Sequence, residues 1–189
     1  MTRHAWNGGS DDESLRRAIE QSVGLAEHDP RWSERFAAER ERLMHVFPGV
    51  FVDIVHIGST PIGGLEAKPI IDLLAGVRSM DEAFALADPL CANGYSASAE
   101  FNRSMIDRQF FMRHAHGERT HHLHLVVHDS PAWRDRVAFS RMLRDDADLR
   151  DRYAALKKDL VERYADDREA YTEGKSDFIR DAIEGRSGA

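Results

Sequence analysis

The chain has 189 residues, of which 42% are hydrophobic and 31% are charged, and its formal net charge is −7 at pH 7. This length fits one domain with a sizeable core, and the acidic balance argues against broad binding to a nucleic-acid backbone. No stretch approaches the roughly 20 apolar residues that span a bilayer, so we expect no membrane association.

The predicted elements begin with a loose tail of about ten residues and a short helix over residues 11–21. Pro30 opens a second helix with an apolar stripe at Trp32, Phe36, Leu43 and Phe47. The remaining elements are strands over 51–57 and 69–77, a helix over 79–92, strands over 95–101, 108–114 and 121–128, and helices from 131 to about 184. This order predicts an α/β (α+β) fold, a mixed β-sheet flanked by helices with a helical C-terminal third, in one domain.

Cysteine usage suggests the compartment. Cys91 is the only cysteine, and the N-terminal residues lack the apolar segment of a secretory signal. We therefore expect a reducing, cytoplasmic environment. Cys91 lies in the predicted helix over 79–92, where we expect it to be buried as a small hydrophobe rather than to act as a nucleophile.

Asp72 stands in the middle of the most apolar predicted strand, PIIDLLAGV. Strand alternation puts it on the face of Ile70 and Leu74, opposite Ile71 and Leu73. An unpaired buried carboxylate is costly, so either a backbone amide or an arginine satisfies Asp72 structurally, or Asp72 is a metal ligand or general base.

The residues Gly58-Ser59-Thr60 follow the preceding strand, and Ser59 comes 13 positions before Asp72. A Gly-Ser turn lets backbone N–H groups approach a phosphate closely, and the hydroxyl adds a contact. A Gly-Ser turn before a strand carboxylate is typical of polymerase-β-type nucleotidyltransferases, in which the turn holds phosphates and the carboxylates hold Mg²⁺.

Histidines are concentrated in the strand predicted over 121–128. His122 and His124 share one face of that strand, while Leu123 and Leu125 point into the core. Two imidazoles on one face are able to bind a divalent metal, and they are equally suited to contact a phosphate or nucleotide.

Lysine is rare in this arginine-rich chain: of 26 basic residues, the lysines are Lys68, Lys157, Lys158 and Lys175. Lys68 directly precedes the Asp72 strand, where it would neutralise a phosphate or remain a solvated loop residue. Lys175 lies near a predicted helix start at Ser176. Together with Tyr171, Lys175 would close the pocket from the helical side and bind phosphate, or it would belong to a plain turn.

Three motifs in this order resemble the GrpB family, also known as the UPF0157 proteins: HIGST to AKPIID over 56–72, RTHHLH over 119–124 and AYTEGKSDFI over 170–179. The resemblance extends from about Leu25 to Ile183. It implies a nucleotidyltransferase-like fold, and related domains occur fused to dephospho-CoA kinase. We accordingly divide the chain into an N-terminal extension over 1–24, partly flexible, and a GrpB-like nucleotidyltransferase-fold domain over 25–185.

The sequence departs from the nucleotidyltransferase signature two residues after Asp72. Leu74 occupies the position of the second acid, so the usual two-metal clamp cannot form. We expect His122, His124 or Glu100, the last from the strand predicted over 95–101, to complete a metal site with Asp72. Otherwise the site binds its ligand without catalysis.

We therefore predict a nucleotidyltransferase-like protein that binds a nucleotide or another phosphorylated small molecule. In the first hypothesis, residues 58–60 hold the phosphates of a nucleoside triphosphate. Asp72 with His122 or His124 holds one divalent ion, Mg²⁺ or Mn²⁺ with Zn²⁺ as an alternative, and Asp72 and Lys68 are the catalytic residues. The alternatives are a non-catalytic nucleotide- or anion-binding module on the same fold and a histidine-based metal site.

Overall fold

The computed structural model describes residues 9–187, in which a four-stranded sheet packs against helices on both faces. The strands are β1 (Asp53–Ile57), β2 (Ile71–Val77), β3 (Arg108–Ala115) and β4 (Glu118–Val127). Their order across the sheet is β1-β2-β4-β3. The central strands β2 and β4 are parallel, and both outer pairs are antiparallel. This mixed α+β architecture confirms the predicted fold class.

Helices precede, interrupt and follow the strands. They are α1 (Gly9–Glu20), α2 (Arg31–Val46), α3 (Met80–Ala85), α4 (Ala87–Ala92), α5 (Ala99–Ser104), α6 (Pro131–Asp145), α7 (Ala147–Tyr164), α8 (Arg168–Glu173) and α9 (Ser176–Ser187). Ser130, Asp146 and Asp167 begin α6, α7 and α8 by accepting a hydrogen bond from a backbone N–H three residues on. The last four helices form the predicted helical C-terminal third. Across residues 9–187, no helix has the length and apolar character needed to cross a membrane.

Alternation along β2 divides the core into two faces. Ile71 and Leu73 pack on the side of α2, in the largest hydrophobic cluster. Leu74 packs on the opposite side with Trp133 of α6. Because side chains alternate along a strand, Asp72 shares the face of Leu74 and is directed towards the C-terminal helices.

The segment between β2 and β3 differs from the prediction in its helix. The single helix predicted over 79–92 is two short helices that meet at Leu86. Pro89, near the start of α4, has no N–H with which to continue the ladder of α3. Cys91 is exposed, so its predicted burial was wrong, because its neighbour Leu90 is the residue that enters the core.

The strand predicted over 95–101 was also wrong. Ser96 forms an isolated bridge with Met112, and α5 begins at Ala99. The Ser98 hydroxyl accepts a hydrogen bond from the N–H of Phe101 and thereby starts a helix where the apolar alternation had indicated a strand.

The helix predicted over 11–21 is α1, and it packs on the β3–β4 hairpin. The Ser14 hydroxyl accepts a hydrogen bond from the N–H of Gly117, and Arg119 Nε donates to the carbonyl of Ala18 at 2.8 Å. Most of the predicted loose tail lies outside the described residues. The predicted boundary between residues 24 and 25 stays a prediction.

Candidate functional site

The loop after β1 brings Gly58 against the Asp72 carboxylate. Ile57, the last residue of β1, pairs with Asp72 across the sheet, so the chain turns beside that carboxylate. Gly58 has φ +76°, and a Cβ there would lie 2.5 Å from Asp72 Oδ2. Both the backbone conformation and the close approach require glycine. The Gly-Ser turn and the half-buried Asp72 carboxylate are therefore neighbours in space as well as in sequence.

The parallel pairing of β2 with β4 places two histidines beside the same carboxylate. Asp72 is opposite His122, whose Nδ1 lies 3.1 Å from Asp72 Oδ1, and His124 Nε2 lies 4.0 Å from that oxygen. Because an ionised carboxylate only accepts hydrogen bonds, His122 donates through Nδ1–H. This contact fixes the tautomer and leaves Nε2 of His122 as an acceptor.

Burial controls the charge state of this trio. It lowers the pKa of His122 to about 4, against the opposing attraction of Asp72, and it lowers the pKa of His124 as well. Burial alone would raise the pKa of Asp72, but the hydrogen bond from His122 and the nearby His124 imidazole outweigh it and hold that pKa well below its usual range. At neutral pH, Asp72 is ionised and both imidazoles are neutral.

Each imidazole also has a buried nitrogen that is free to meet another group. His122 Nε2 and His124 Nδ1 are buried and have no hydrogen-bond partner among the described residues. The Phe110 ring holds both imidazoles in place, with centroids 5.1 Å and 5.2 Å away. Buried polar atoms without partners are unusual in folded proteins, so these two nitrogens are candidate contacts for a further group.

Lys68 and Lys175 converge on one aromatic ring beside Asp72. Their Nζ atoms lie 4.5 Å and 4.3 Å from the centroid of the Tyr171 ring, which is itself buried. Within residues 9–187, neither ammonium forms an ion pair or a hydrogen bond. Burial, followed by the charge of Lys175, lowers the pKa of Lys68 to about 7. Burial lowers the pKa of Lys175 to about 8, while Asp72 acts in the opposite direction.

A third lysine, which sequence reasoning did not single out, also reaches the site. Lys157 of α7 is buried, and its Nζ donates hydrogen bonds to Ser59 Oγ at 3.2 Å and to the carbonyl of Glu66. Burial and the charge of Lys175 lower its pKa to about 7. A signal was present, because Lys157 continues the buried stripe of α7 four residues after Tyr153.

Arg168 adds an unsatisfied guanidinium to the same cluster. Its Nη2 donates to the carbonyl of Gln21 at 2.9 Å, whereas its Nε and Nη1 are buried without partners among the described residues. Its charge contributes to the lowered pKa of Lys68, as does that of Arg119. Sequence reasoning missed Arg168, since nothing in the local pattern around α8 distinguishes it from a surface arginine.

Comparison with known proteins identifies the family to which this chain belongs. A family model described as GrpB protein matches residues 22–185. The chain belongs to the GrpB family. It is 35% identical over 164 residues to the UPF0157 protein YqkA of Bacillus subtilis, covering 87% of this chain but only 47% of YqkA. It is 32% identical to the glutamate-rich protein GrpB of Alkalihalophilus pseudofirmus, covering 85% of this chain and 94% of that relative.

A solved structure supports the same assignment. The crystal structure of the conserved protein GrpB from Enterococcus faecalis matches with a TM-score of 0.75 and 30% sequence identity. The match covers 87% of this chain and 96% of that one. The predicted resemblance to the GrpB family is thus confirmed in both sequence and fold.

Two residues predicted for the site, Thr60 and Glu100, form no hydrogen bond with Asp72 in the described part of this GrpB-family chain. The hydroxyl of Thr60 lies 2.8 Å from His56 Nε2, so this buried residue braces the turn from the side of α2. Glu100 is exposed on α5, not on a strand, and it takes part in no hydrogen bond or ion pair among the described residues. The structure does not bring Glu100 into contact with Asp72, because the segment turns into a helix at Ser98.

The donor set does not fit a resident metal ion. Within the described chain, no group of three or more His, Cys, Asp or Glu side chains is arranged to hold one. Asp72 already accepts a hydrogen bond from His122, and Leu74 supplies no oxygen. Nearby lysine and arginine charges would also repel a cation. The predicted divalent metal stays a prediction.

Proposed function

We propose that this GrpB-family chain binds a nucleotide or another phosphorylated small molecule beside Asp72. The observation that carries the proposal is a pair of half-buried ammonium groups, Lys68 and Lys175, which meet at Tyr171. Neither forms an ion pair with a carboxylate among the described residues, and Asp72 acts on both only from a distance. Two positive charges held close together and partly removed from water are unfavourable. An anionic ligand would add countercharge beyond that of Asp72.

Several features favour a phosphorylated ligand over a singly charged anion. Lys157 and Arg168 extend the cationic lining, and Arg168 presents two buried N–H groups without partners among the described residues. The Gly58 turn adds backbone close to the carboxylate. Multiple donors around one centre suit the several oxygens of a phosphate chain. The net charge of −7 favours a small molecule over a nucleic acid.

Nucleotidyl transfer is a second candidate function, and the hydrogen bond between Asp72 and His122 favours it. That contact orients the imidazole with Nδ1 protonated and leaves Nε2 able to accept a proton. A carboxylate that orients a histidine in this way is a common arrangement for general-base chemistry. In this scheme, His122 would take the proton of an acceptor hydroxyl as its oxygen bonds to the α-phosphorus of the nucleoside triphosphate. Pyrophosphate would leave, and the lysines would hold the phosphates. Leu74 in place of a second acid favours the alternative, a binding module without transfer.

Binding is tested by denaturation of the full chain with ATP or inorganic tripolyphosphate, first in EDTA and then with Mg²⁺, Mn²⁺ or Zn²⁺. A ligand at 100 times its dissociation constant adds roughly 2.7 kcal/mol to the free energy of unfolding. We expect Lys68→Gln and Lys175→Gln to weaken binding at least tenfold. Lys158→Gln is the matched control, because Lys158 is exposed and pairs with Glu66.

The outcomes separate the hypotheses. Unchanged affinity in Lys175→Gln, or no stabilisation of the wild type by any of these anions, would overturn the proposal. Stabilisation by ATP only with a metal, lost in Asp72→Asn, would support the metal hypothesis. Pyrophosphate release from ATP with a panel of small hydroxyl compounds, abolished in His122→Gln, would establish transfer. Binding without such release would establish the module.

A further inference from the structure

A cavity outside the Asp72 cluster runs along the outer edge of β1. Its volume is about 280 Å³, and residues 54–57 line it. Phe36 of α2 stands on one side, and a stripe of α6 on the other. The α6 residues in its wall are Val137, Ser140, Arg141 and Arg144, whose spacing puts them on one helix face. Since β1 is an edge strand, no neighbouring strand fills this space.

The interior of the cavity is largely apolar. Phe36 stacks on His56 with their ring centroids 4.5 Å apart and their planes 8° from parallel. Burial lowers the pKa of His56 to about 4, so this imidazole is neutral at physiological pH and extends the flat apolar surface. Ile54, Ile57 and Val137 complete the lining.

Polar groups without partners lie along the α6 wall. Arg141 and Arg144 are exposed, and neither guanidinium forms an ion pair or donates a hydrogen bond within residues 9–187. Ser140 is only 4% exposed, and its hydroxyl has no partner among the described residues. A buried hydroxyl in a cavity wall, without even a carbonyl of its own helix to bond, is an uncommon feature that calls for a partner.

We propose that this cavity is a second binding site, specific for a small organic anion with a compact apolar body. The carboxylate or phosphate of the ligand lies between Arg141 and Arg144, next to Ser140. Its apolar body lies against Phe36 and β1. An apolar pocket with a few convergent polar groups is the usual form of a small-molecule site. The volume of this cavity lies just below the roughly 300–1,000 Å³ of such pockets, which suits a compact ligand.

A small molecule fits this edge better than an added peptide strand does. Arg40 Nε already donates a hydrogen bond to the carbonyl of Ile54 at 3.0 Å, which removes an acceptor that an incoming strand would need. The site is also linked to the first one, because His56 bonds Thr60, the residue after Ser59. The second site nevertheless stands on its own residues and does not require the function proposed above.

The test is a titration of the ¹⁵N-labelled full chain, followed by amide chemical shifts. The probes are phenylacetate and benzyl phosphate, with phenylacetamide as the uncharged analogue of the first. We expect saturable shifts in residues 54–57 and 137–144 for both anions, and at least tenfold weaker binding of phenylacetamide. Arg141→Gln and Arg144→Gln should each weaken anion binding at least fivefold.

The control is Arg134→Gln, which removes an exposed arginine from the same helix but outside the cavity and should leave the affinity unchanged. Lys175→Gln should also bind both anions normally here, which separates this site from the one beside Asp72. Shifts confined to residues around Lys68 and Lys175, equal binding of phenylacetamide, or unchanged binding in both cavity variants would overturn the proposal. Because Arg141 and Arg144 are exposed, their replacement does not threaten the fold.

Discussion

Replacing Gly58 by alanine tests the contact on which the Asp72 site is built. Gly58 has φ +76°, a conformation that costs an L-residue roughly 1–2 kcal/mol. Its new Cβ would lie 2.5 Å from Asp72 Oδ2 and 3.2 Å from Asp72 Cβ. Asp72 is held on the other side by His122, so the clash is relieved only by moving β2 or breaking that hydrogen bond.

The chain supplies a control for the backbone part of this penalty. Gly64 belongs to the same loop and has φ +74°, but no atom lies within 4 Å of the Cβ it would gain. Gly64→Ala should therefore cost only the roughly 1–2 kcal/mol of the backbone conformation. Gly58→Ala should cost about 1–3 kcal/mol more, the usual penalty for overpacking. In a chain of this length, that difference lowers Tm by roughly 2–12 °C.

Chemical denaturation of the two variants measures this difference directly. The double variant Gly58→Ala/Asp72→Ala should recover part of the extra loss, because the clashing oxygen is gone, and the two substitutions should be non-additive. Equal destabilisation by Gly58→Ala and Gly64→Ala, or additivity in the double variant, would refute the close approach of the turn to the carboxylate.

Three further predictions concern buried charges. The folded-state pKa of His122, about 4, lies below its ordinary 6.5, so the unfolded chain takes up that proton first and stability falls as pH drops from about 6.5 towards 4. The slope of the unfolding free energy against pH counts the protons taken up on unfolding. In urea denaturation, His122→Gln should reduce that slope by about one proton in this pH window. The folded-state pKa of Lys175, about 8, also lies below its ordinary 10.5; stability should therefore rise with pH between these values, and rise less in Lys175→Met. Finally, Glu39→Gln removes the buried carboxylate that pairs with Arg113 and leaves the arginine without its countercharge. It should lower the free energy of unfolding by about 3–5 kcal/mol. The exposed Glu13→Gln should lower it by less than about 1 kcal/mol.

The sheet was largely predictable because its strands follow a simple pattern. Within the apolar run predicted as a strand, Ile71–Val77 is buried on both faces, as strands of a covered sheet are. In the segment between β2 and β3, capping residues and proline determine the secondary structure instead. Ser98 caps the start of α5, and Pro89 lies near the start of α4. These local signals are weak in the sequence alone, so the secondary structure of the segment before β3 was predicted wrongly.

The part of the site that could be predicted comes from motifs in or next to neighbouring strands of the sheet. The turn at Gly58 and the acid at Asp72 come from adjacent strands, and His122 is in register with Asp72. Lys157 and Arg168 reach the same point from helices about 100 residues further along the chain. Their positions depend on how α7 and α8 pack on the loop, which no local spacing encodes. Glu100 shows the opposite error, since its role depended on a strand that does not form.

The charges around Asp72 lead to a last prediction about its role. Asp72 raises the pKa of both Lys68 and Lys175, against the burial that lowers it. The carboxylate thus helps these ammonium groups to keep their protons before any ligand arrives. Its removal would have two opposing effects on a bound phosphate, less repulsion from the acid and less positive charge on the lysines. The second effect grows as the pH rises through the lysine pKa values of about 7 and 8. Asp72→Asn should therefore impair tripolyphosphate binding most at pH 8–9 and least at pH 6, whereas a metal ligand would be needed across that whole range.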